Sequence, residues 1–237
     1  MNYPDQSYLD GDILMYRASF WADENGVDDL EIERRLVKDI SAWTPKDTKP
    51  VICFSCSRTS NYRRALFPEY KAHRDDTYQP DSLPLTKELI LSNYYCLQKD
   101  NIEADDLLGI AATSGAAVAV TIDKDLRCTY GWHWNPDKEF LPTHVTTEEA
   151  DRHFFTQWLT GDSTDNLKGI PRVGPKKAEA LLNDVHPDYW EEAVCAAYER
   201  KGLTEEYCLQ QARCVRILRH DEYFNEEVKL FTPSFLS

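Results

Sequence analysis

No run approaching the roughly 20 apolar residues that a membrane-spanning helix needs occurs in this 237-residue sequence. The start, Met1-Asn2-Tyr3-Pro4-Asp5, has neither a basic opening nor an apolar stretch, so no secretory leader is expected and a cytoplasmic setting follows. A disulfide framework is missing as well: the seven cysteines are odd in number and scattered, which suits reduced thiols. Cys53 and Cys56 form a lone C-x-x-C, without the second pair or the two histidines a zinc site would need. There is no internal repeat and no low-complexity tract. What the chain does hold, 42% hydrophobic and 12% aromatic residues, is enough to bury a sizeable core.

An excess of positive charge is also lacking. A formal charge of −14 argues, on average, against a nucleic-acid partner, because phosphate contacts want Lys and Arg. The distribution says otherwise. Residues 58–74 and residues 166–177 each carry a net +4, which leaves −22 on the rest. In the first patch Arg58, Arg63, Arg64, Lys71 and Arg74 interleave with Tyr62, Phe67 and Tyr70. Charge alternating with stacking surface suits a single strand, so Arg63, Arg64 and Tyr70 are candidate substrate contacts.

Hydrophobic periodicity gives the frame. Residues 7–14 read as a strand ending in L-D-G-D, 51–55 as a buried strand and 116–122 as a third. Residues 27–43, 86–98 and a segment beginning near Glu103 read as helices, and 127–142 as extended and aromatic. Thr146 with Glu149 forms a capping box opening a helix that Gly161 can close, and two more helices are expected over 190–200 and 205–218. Strands alternating with helices indicate an α/β fold: a largely parallel central sheet flanked by helices, then a helical carboxyl-terminal region. The interval from Ser55 to Thr86 has no strong apolar period, and a loop that long inside a compact domain points to a functional clamp.

Acidic residues fall where such a fold brings chain ends together. Asp10 ends the first strand and Asp123 and Asp125 end the third. Glu103, Asp105 and Asp106 open a helix, and Asp162 and Asp165 follow another. Each alone is an ordinary cap or helix start. Crowded together, eight carboxylates would repel and push one another's pKa upward unless a cation compensates, and a hard, oxygen-loving Mg²⁺ or Mn²⁺ is the natural one. Two such ions can clamp a phosphodiester for hydrolysis.

The second basic patch lies in NLKGIPRVGPKKAEALL, residues 166–182. Gly169 and Gly174 are expected to allow a tight hairpin with φ > 0, and Pro175 suits the first position of the following helix. Lys176 and Lys177 would add charge where backbone N–H groups reach a phosphate, which is a helix-hairpin-helix signature.

The series LDGD, PEYKAHR, EADD, TIDKDL and GDSTDNLKGIPRVGPKKA, in this order over nearly the whole chain, resembles the 5′-nuclease superfamily of flap endonucleases and 5′→3′ exonucleases, and among them the exonucleases of short-tailed bacteriophages. The resemblance implies a two-metal site, with Asp10, Glu103, Asp105 and Asp106 at the first ion and Asp123, Asp125, Asp162 and Asp165 at the second. It implies that Lys71 and Arg74, on a helical arch spanning residues 56–85, contact the scissile phosphate as catalytic cations. It further implies that Gly169 to Lys177 form a helix-three-turn-helix gripping duplex DNA, with a potassium ion there. One departure stands out: the family places an Asp after the second strand, where this chain has Ser55 and Cys56.

The expectation is a monomeric, metal-dependent 5′→3′ exonuclease acting on DNA with a 5′ end, and on RNA–DNA hybrids as an alternative substrate, in a host cytoplasm. A metal-site core over residues 1–160 would carry a DNA-binding region over 161–237. A flap endonuclease, and an inactive or weakly active junction-binding protein, are the rival readings.

Overall fold

The structure, a computed structural model, describes residues 3–236. Met1 and Asn2, read above for a leader, lie outside the described residues, as does Ser237.

The chain begins with β1 (Gln6–Asp10), which runs directly into α1 (Gly11–Asn25) and then α2 (Asp29–Trp43). The expected strand to residue 14 therefore stops four residues early. Asp10 is the reason: its carboxylate accepts the Ile13 N–H and caps α1. Gly11 makes the sharp start possible, since a Cβ there would lie 2.6 Å from the Cys53 carbonyl oxygen and 2.7 Å from an Ile52 methyl. Strand β2 (Lys49–Phe54) leads into the irregular interval, which contains α3 (Tyr62–Leu66) and a 3₁₀ turn over Ala72–Arg74. Helix α4 (Leu83–Asn93) starts earlier than expected, with Pro84 in its first turn, and ends in time for β3 (Cys96–Gln98) to pair with β2. Next come α5 (Ala104–Thr113), β4 (Val118–Val120), β5 (Gly131–Trp134) and β6 (Thr143–Val145), so the aromatic stretch over 127–142, expected to be extended, is the end of a 3₁₀ turn, a strand and a loop that leads into the edge strand. The capping box at Thr146 and Glu149 opens α6 (Thr147–Thr160), and Gly161, at φ 70°, closes it. Helices α7 (Pro175–Asn183), α8 (Trp190–Glu199) and α9 (Glu205–Val215) complete the framework.

The six-stranded sheet has the order β3-β2-β1-β4-β5-β6, parallel except for β6 at the edge. The chain runs outward from β1 to β2 and β3 and then crosses back to β4 on the other side of β1, so the crevice beyond the carboxyl ends of β1 and β4 is a topological switch point, where ligands bind in open α/β sheets. Strand alternation sorts the two apolar layers. Leu9, Ile52, Phe54, Val118 and Val120 face a cluster with α1, α2 and α4. Val51, Cys53 and Ala119 face a larger one that includes α5 and runs on through α6 to α9, so residues 161–218 pack on the same face of the sheet as α5.

Candidate active site

A cavity of about 1020 Å³ opens at this switch point, lined by seven of the eight expected acids: Asp10, Glu103, Asp105, Asp123, Asp125, Asp162 and Asp165. Local structure explains why they meet. Asp10 caps α1 through one oxygen and accepts the Thr121 hydroxyl through the other, at 2.8 Å, which ties the ends of β1 and β4. Asp123 accepts the Asp125 N–H at 2.9 Å, and Asp162 accepts the Thr164 N–H at 2.7 Å. The ordinary capping role and the cleft-facing role thus coexist in the same side chains.

An acid absent from the sequence expectation belongs with them. Asp12, in the first turn of α1, lines the same cavity and accepts the Ser55 N–H at 3.1 Å. The signal was available in L-D-G-D, where Asp12 follows two residues after Asp10; extending the strand past Asp10 hid it. His153 of α6, 3.9 Å from Asp125, was likewise not foreseen.

Electrostatics divides the acids. Burial, reinforced by the Asp12 charge, pushes Asp10 up to about 7. Burial also raises Asp12, Asp123 and Asp105, the last well above the usual carboxylate range with Asp10 and Asp123 adding to the effect. Glu103 goes the opposite way: burial opposes its ionisation, yet Lys71 and Arg63 beside it pull it down to about 2. Lys71 Nζ donates to Glu103 at 2.7 Å, and Arg74 pairs with Asp165 at 3.0 Å. Lys71 is aimed by its own backbone, which sits in the left-handed region at φ 52° and donates its N–H to the Asp165 carbonyl. Both expected catalytic cations therefore lie against the acids.

Four assignments are corrected. Asp106 is fully buried and does not line the cavity: one oxygen accepts from Arg63 and the Leu218 N–H, the other from Arg63 and the Glu103 N–H. Arg63, 2% exposed, is no substrate contact, because all five guanidinium donors are engaged inside, by Asp106, Glu103 and the carbonyls of Cys214 and Arg216. Tyr70, also 2% exposed, offers no stacking face; its hydroxyl reaches Glu103 at 2.8 Å and Asp165 at 3.1 Å. Gly169 cannot cradle a phosphate, since its N–H donates to Gln211 and a Cβ would fall 2.3 Å from the Gly161 nitrogen.

The other expected contacts fare differently. Arg64 braces its own loop through a bidentate pair with Asp75. Gly174 caps α7 at φ −103°, and the positive φ expected there belongs to Arg172. Lys176 and Lys177 are exposed at the start of α7, with Lys177 Nζ donating to the Arg172 carbonyl. Part of the segment expected as a helical arch over residues 56–85 is tied to the rest of the molecule: Gln210 of α9 donates to the Leu66 carbonyl, and Asn166 donates to the Glu69 carbonyl.

The cleft's donor set, carboxylate oxygen throughout, fits hard divalent ions, and the upward pKa shifts of mutually facing acids mark a place short of positive charge. Among the described residues no three His, Cys, Asp or Glu side chains are arranged tightly enough to hold an ion as they stand. No helix among the described residues is long and apolar enough to cross a membrane.

Comparison with known proteins gives this geometry its context. The family described as "5′-3′ exonuclease, N-terminal resolvase-like domain" matches residues 7–132, just over half the chain. The exodeoxyribonuclease of Enterobacteria phage T3 is 26% identical, with 95% of this chain and 92% of the relative aligned, and the exonuclease of Escherichia phage T7 gives the same figures. A solved structure of the phage T5 D15 protein, co-crystallised with metal ions, superposes with a TM-score of 0.66 at 14% identity, covering 89% of this chain and 88% of that one. A second, described as the T5 D15 flap endonuclease in a pseudo-enzyme-product complex with DNA and metal ions, gives 0.58 at 14% identity over 88% and 90%. At that identity the likeness is one of fold. On the family match and the phage relatives, the chain belongs to the 5′-3′ exonuclease family and is a nuclease.

Proposed function

We propose that the protein is a divalent-metal-dependent 5′→3′ exonuclease that hydrolyses DNA phosphodiesters. The observation that carries this reading is that Asp10, Asp105 and Asp123 line one cavity at the switch point with no ion pair to any of them among the described residues. Asp10 and Asp105 would hold a first Mg²⁺ or Mn²⁺ with Glu103, and Asp123, Asp125 and Asp162 a second. Two divalent ions bound there supply charge neutralisation of the phosphodiester and an activated water.

The chain's own residues do the rest. Lys71 and Arg74 face the same cavity from the opposite wall, so a phosphate entering between them and the acids would exchange its charge for that of Glu103 and Asp165. Tyr70 and Arg63 fix Glu103 from behind, which holds the acid in one rotamer while Lys71 moves between partners. Lys176 and Lys177 would contact duplex phosphates away from the cleft without reading sequence. The packed segment over residues 62–74 favours cleavage at an end over threading of a flap, because a threaded strand would have to lift it from α9 and from the turn at Asp165.

The test is release of nucleotides from 5′-labelled blunt duplex, flap and RNA–DNA hybrid, with Mg²⁺, Mn²⁺ or a chelator. Metal-dependent release from the blunt duplex is the expected result. Equal release in chelator would defeat the metal reading, and cleavage confined to flaps would replace the exonuclease by the endonuclease.

A further inference from the structure

We propose that Asp12 is an ion-facing carboxylate of the first metal site, and that Ser55 is the positioning residue that holds it there; this rests on the metal-dependent reading above. The place after β2 where the resemblance leads one to look for an acid holds Ser55 and Cys56, neither able to supply a carboxylate. The structure fills that place from another element. The carboxylate of Asp12, in the first turn of α1, reaches across to the end of β2 and accepts the Ser55 N–H at 3.1 Å, and Ser55 is its only hydrogen-bonding residue among those described.

The Ser55 side chain does a second thing. Its hydroxyl oxygen accepts the Ala104 N–H at 3.0 Å, and Ala104 is the residue between Glu103 and Asp105. One serine therefore joins the first turn of α1 to the first turn of α5, beside Asp12, Glu103 and Asp105, all of which line the cavity.

The contrast with Asp106 shows that Asp12 is not a structural acid. Asp106 is sealed in the interior by Arg63 and two backbone N–H groups, whereas Asp12 lines the open cavity and forms no ion pair among the described residues. A cation acting on it through space is Lys87, whose ammonium rests over the Phe54 ring at 5.1 Å. A half-buried carboxylate that lines the cleft and is so lightly partnered is available to a cation that arrives from solvent. Gly11 keeps the device compact, since a side chain there would strike the Cys53 carbonyl and force α1 away from β2.

The experiment titrates Mn²⁺ into the full chain without DNA, reading the number and affinity of bound ions by calorimetry and by the loss of free Mn²⁺ paramagnetic signal. Asp12→Asn should weaken one of two ions about a hundredfold, and Ser55→Ala about tenfold, in the range seen when groups orienting a ligand are removed. Returning a carboxylate to the end of β2, as Asp12→Asn combined with Cys56→Asp, should recover most of the loss. Thermal melts in chelator guard against misfolding: Asp12→Asn should melt no lower than the parent, since a lightly partnered charge is removed. Binding by Asp12→Asn equal to the parent's in number and affinity would overturn the proposal, as would an Asp12→Asn melt well below the parent's. A parent that binds no Mn²⁺ would instead sink the metal-dependent reading itself.

Discussion

Two walls of one cleft use the same residue types to opposite ends. On the sheet wall Asp10, Asp12, Asp105 and Asp123 face one another without a contact ion pair, and burial with mutual repulsion drives their pKa values up. On the wall facing the 62–74 segment, Glu103 and Asp165 are met by Lys71, Arg63 or Arg74, and Asp106, buried behind the cleft, is met by Arg63. Residue type alone does not decide whether a carboxylate awaits a ligand or is already neutralised. Neighbouring charge does, and Glu103, pulled down by Lys71 and Arg63, should therefore respond to pH in the direction opposite to the raised acids of the sheet wall.

The sharpest division comes from exchanging single oxygens for nitrogens. Asp123→Asn should lower turnover by more than about a hundredfold, since removing even an indirect partner of a metal ligand costs that much, while its melting temperature in chelator holds or rises. Asp106→Asn and Arg63→Leu should do the reverse. Breaking a buried pair with one partner left behind costs about 3–5 kcal/mol, which in a chain of this size lowers Tm by roughly 10 °C. Parallel thermal melts and turnover assays check both; an Asp106→Asn enzyme with native Tm but no activity would return Asp106 to the metal set.

Acid titration gives the next largest contrast. Asp10 titrates near 7 in the folded chain and near the ordinary 3.9 when unfolded. Its contribution is complete below about pH 4 and is lost as pH rises toward 7, because the folded state holds the proton more tightly. Glu103, drawn down to about 2, contributes above about pH 4.3 and loses that contribution as pH falls through 2. Melts in chelator should therefore weaken on both sides of a maximum near pH 4–5. Asp10→Asn should flatten the alkaline limb and leave the acid limb in place. A single rising limb from pH 4 to 7 would break the comparison.

The smallest effect belongs to the hairpin. Lys176→Ala with Lys177→Ala should reduce the slope of log affinity against log salt by about 2 while leaving turnover at saturating DNA unchanged. An unaltered slope would make these lysines solvent-facing only.

Much of this was legible before any coordinates. The acids at β1, β4, α5 and the turn after α6 could be placed because chain ends at a switch point are visible in periodicity, and the Thr146 capping box named its own helix start. What escaped was non-local. In E-A-D-D the neighbours Asp105 and Asp106 differ by about 100° around a helix, enough to send one into the cleft and the other into the core. Only the approach of Arg63, 43 residues away, and of the Leu218 N–H, 112 residues away, settles which is which. Arg63 reads as a basic surface residue until the Cys214 and Arg216 carbonyls close over it. Gly169 reads as a phosphate-cradling glycine, but the close approach it permits is to the end of α6.

The most direct test is a crystal structure of the chain soaked in Mn²⁺, with the ions located by their anomalous scattering. The account predicts density in the cleft, with one ion against Asp10 and Asp105, a second against Asp123 and Asp162, and none at Asp106. Ions found only at surface acids, with the cleft acids still held apart, would contradict it.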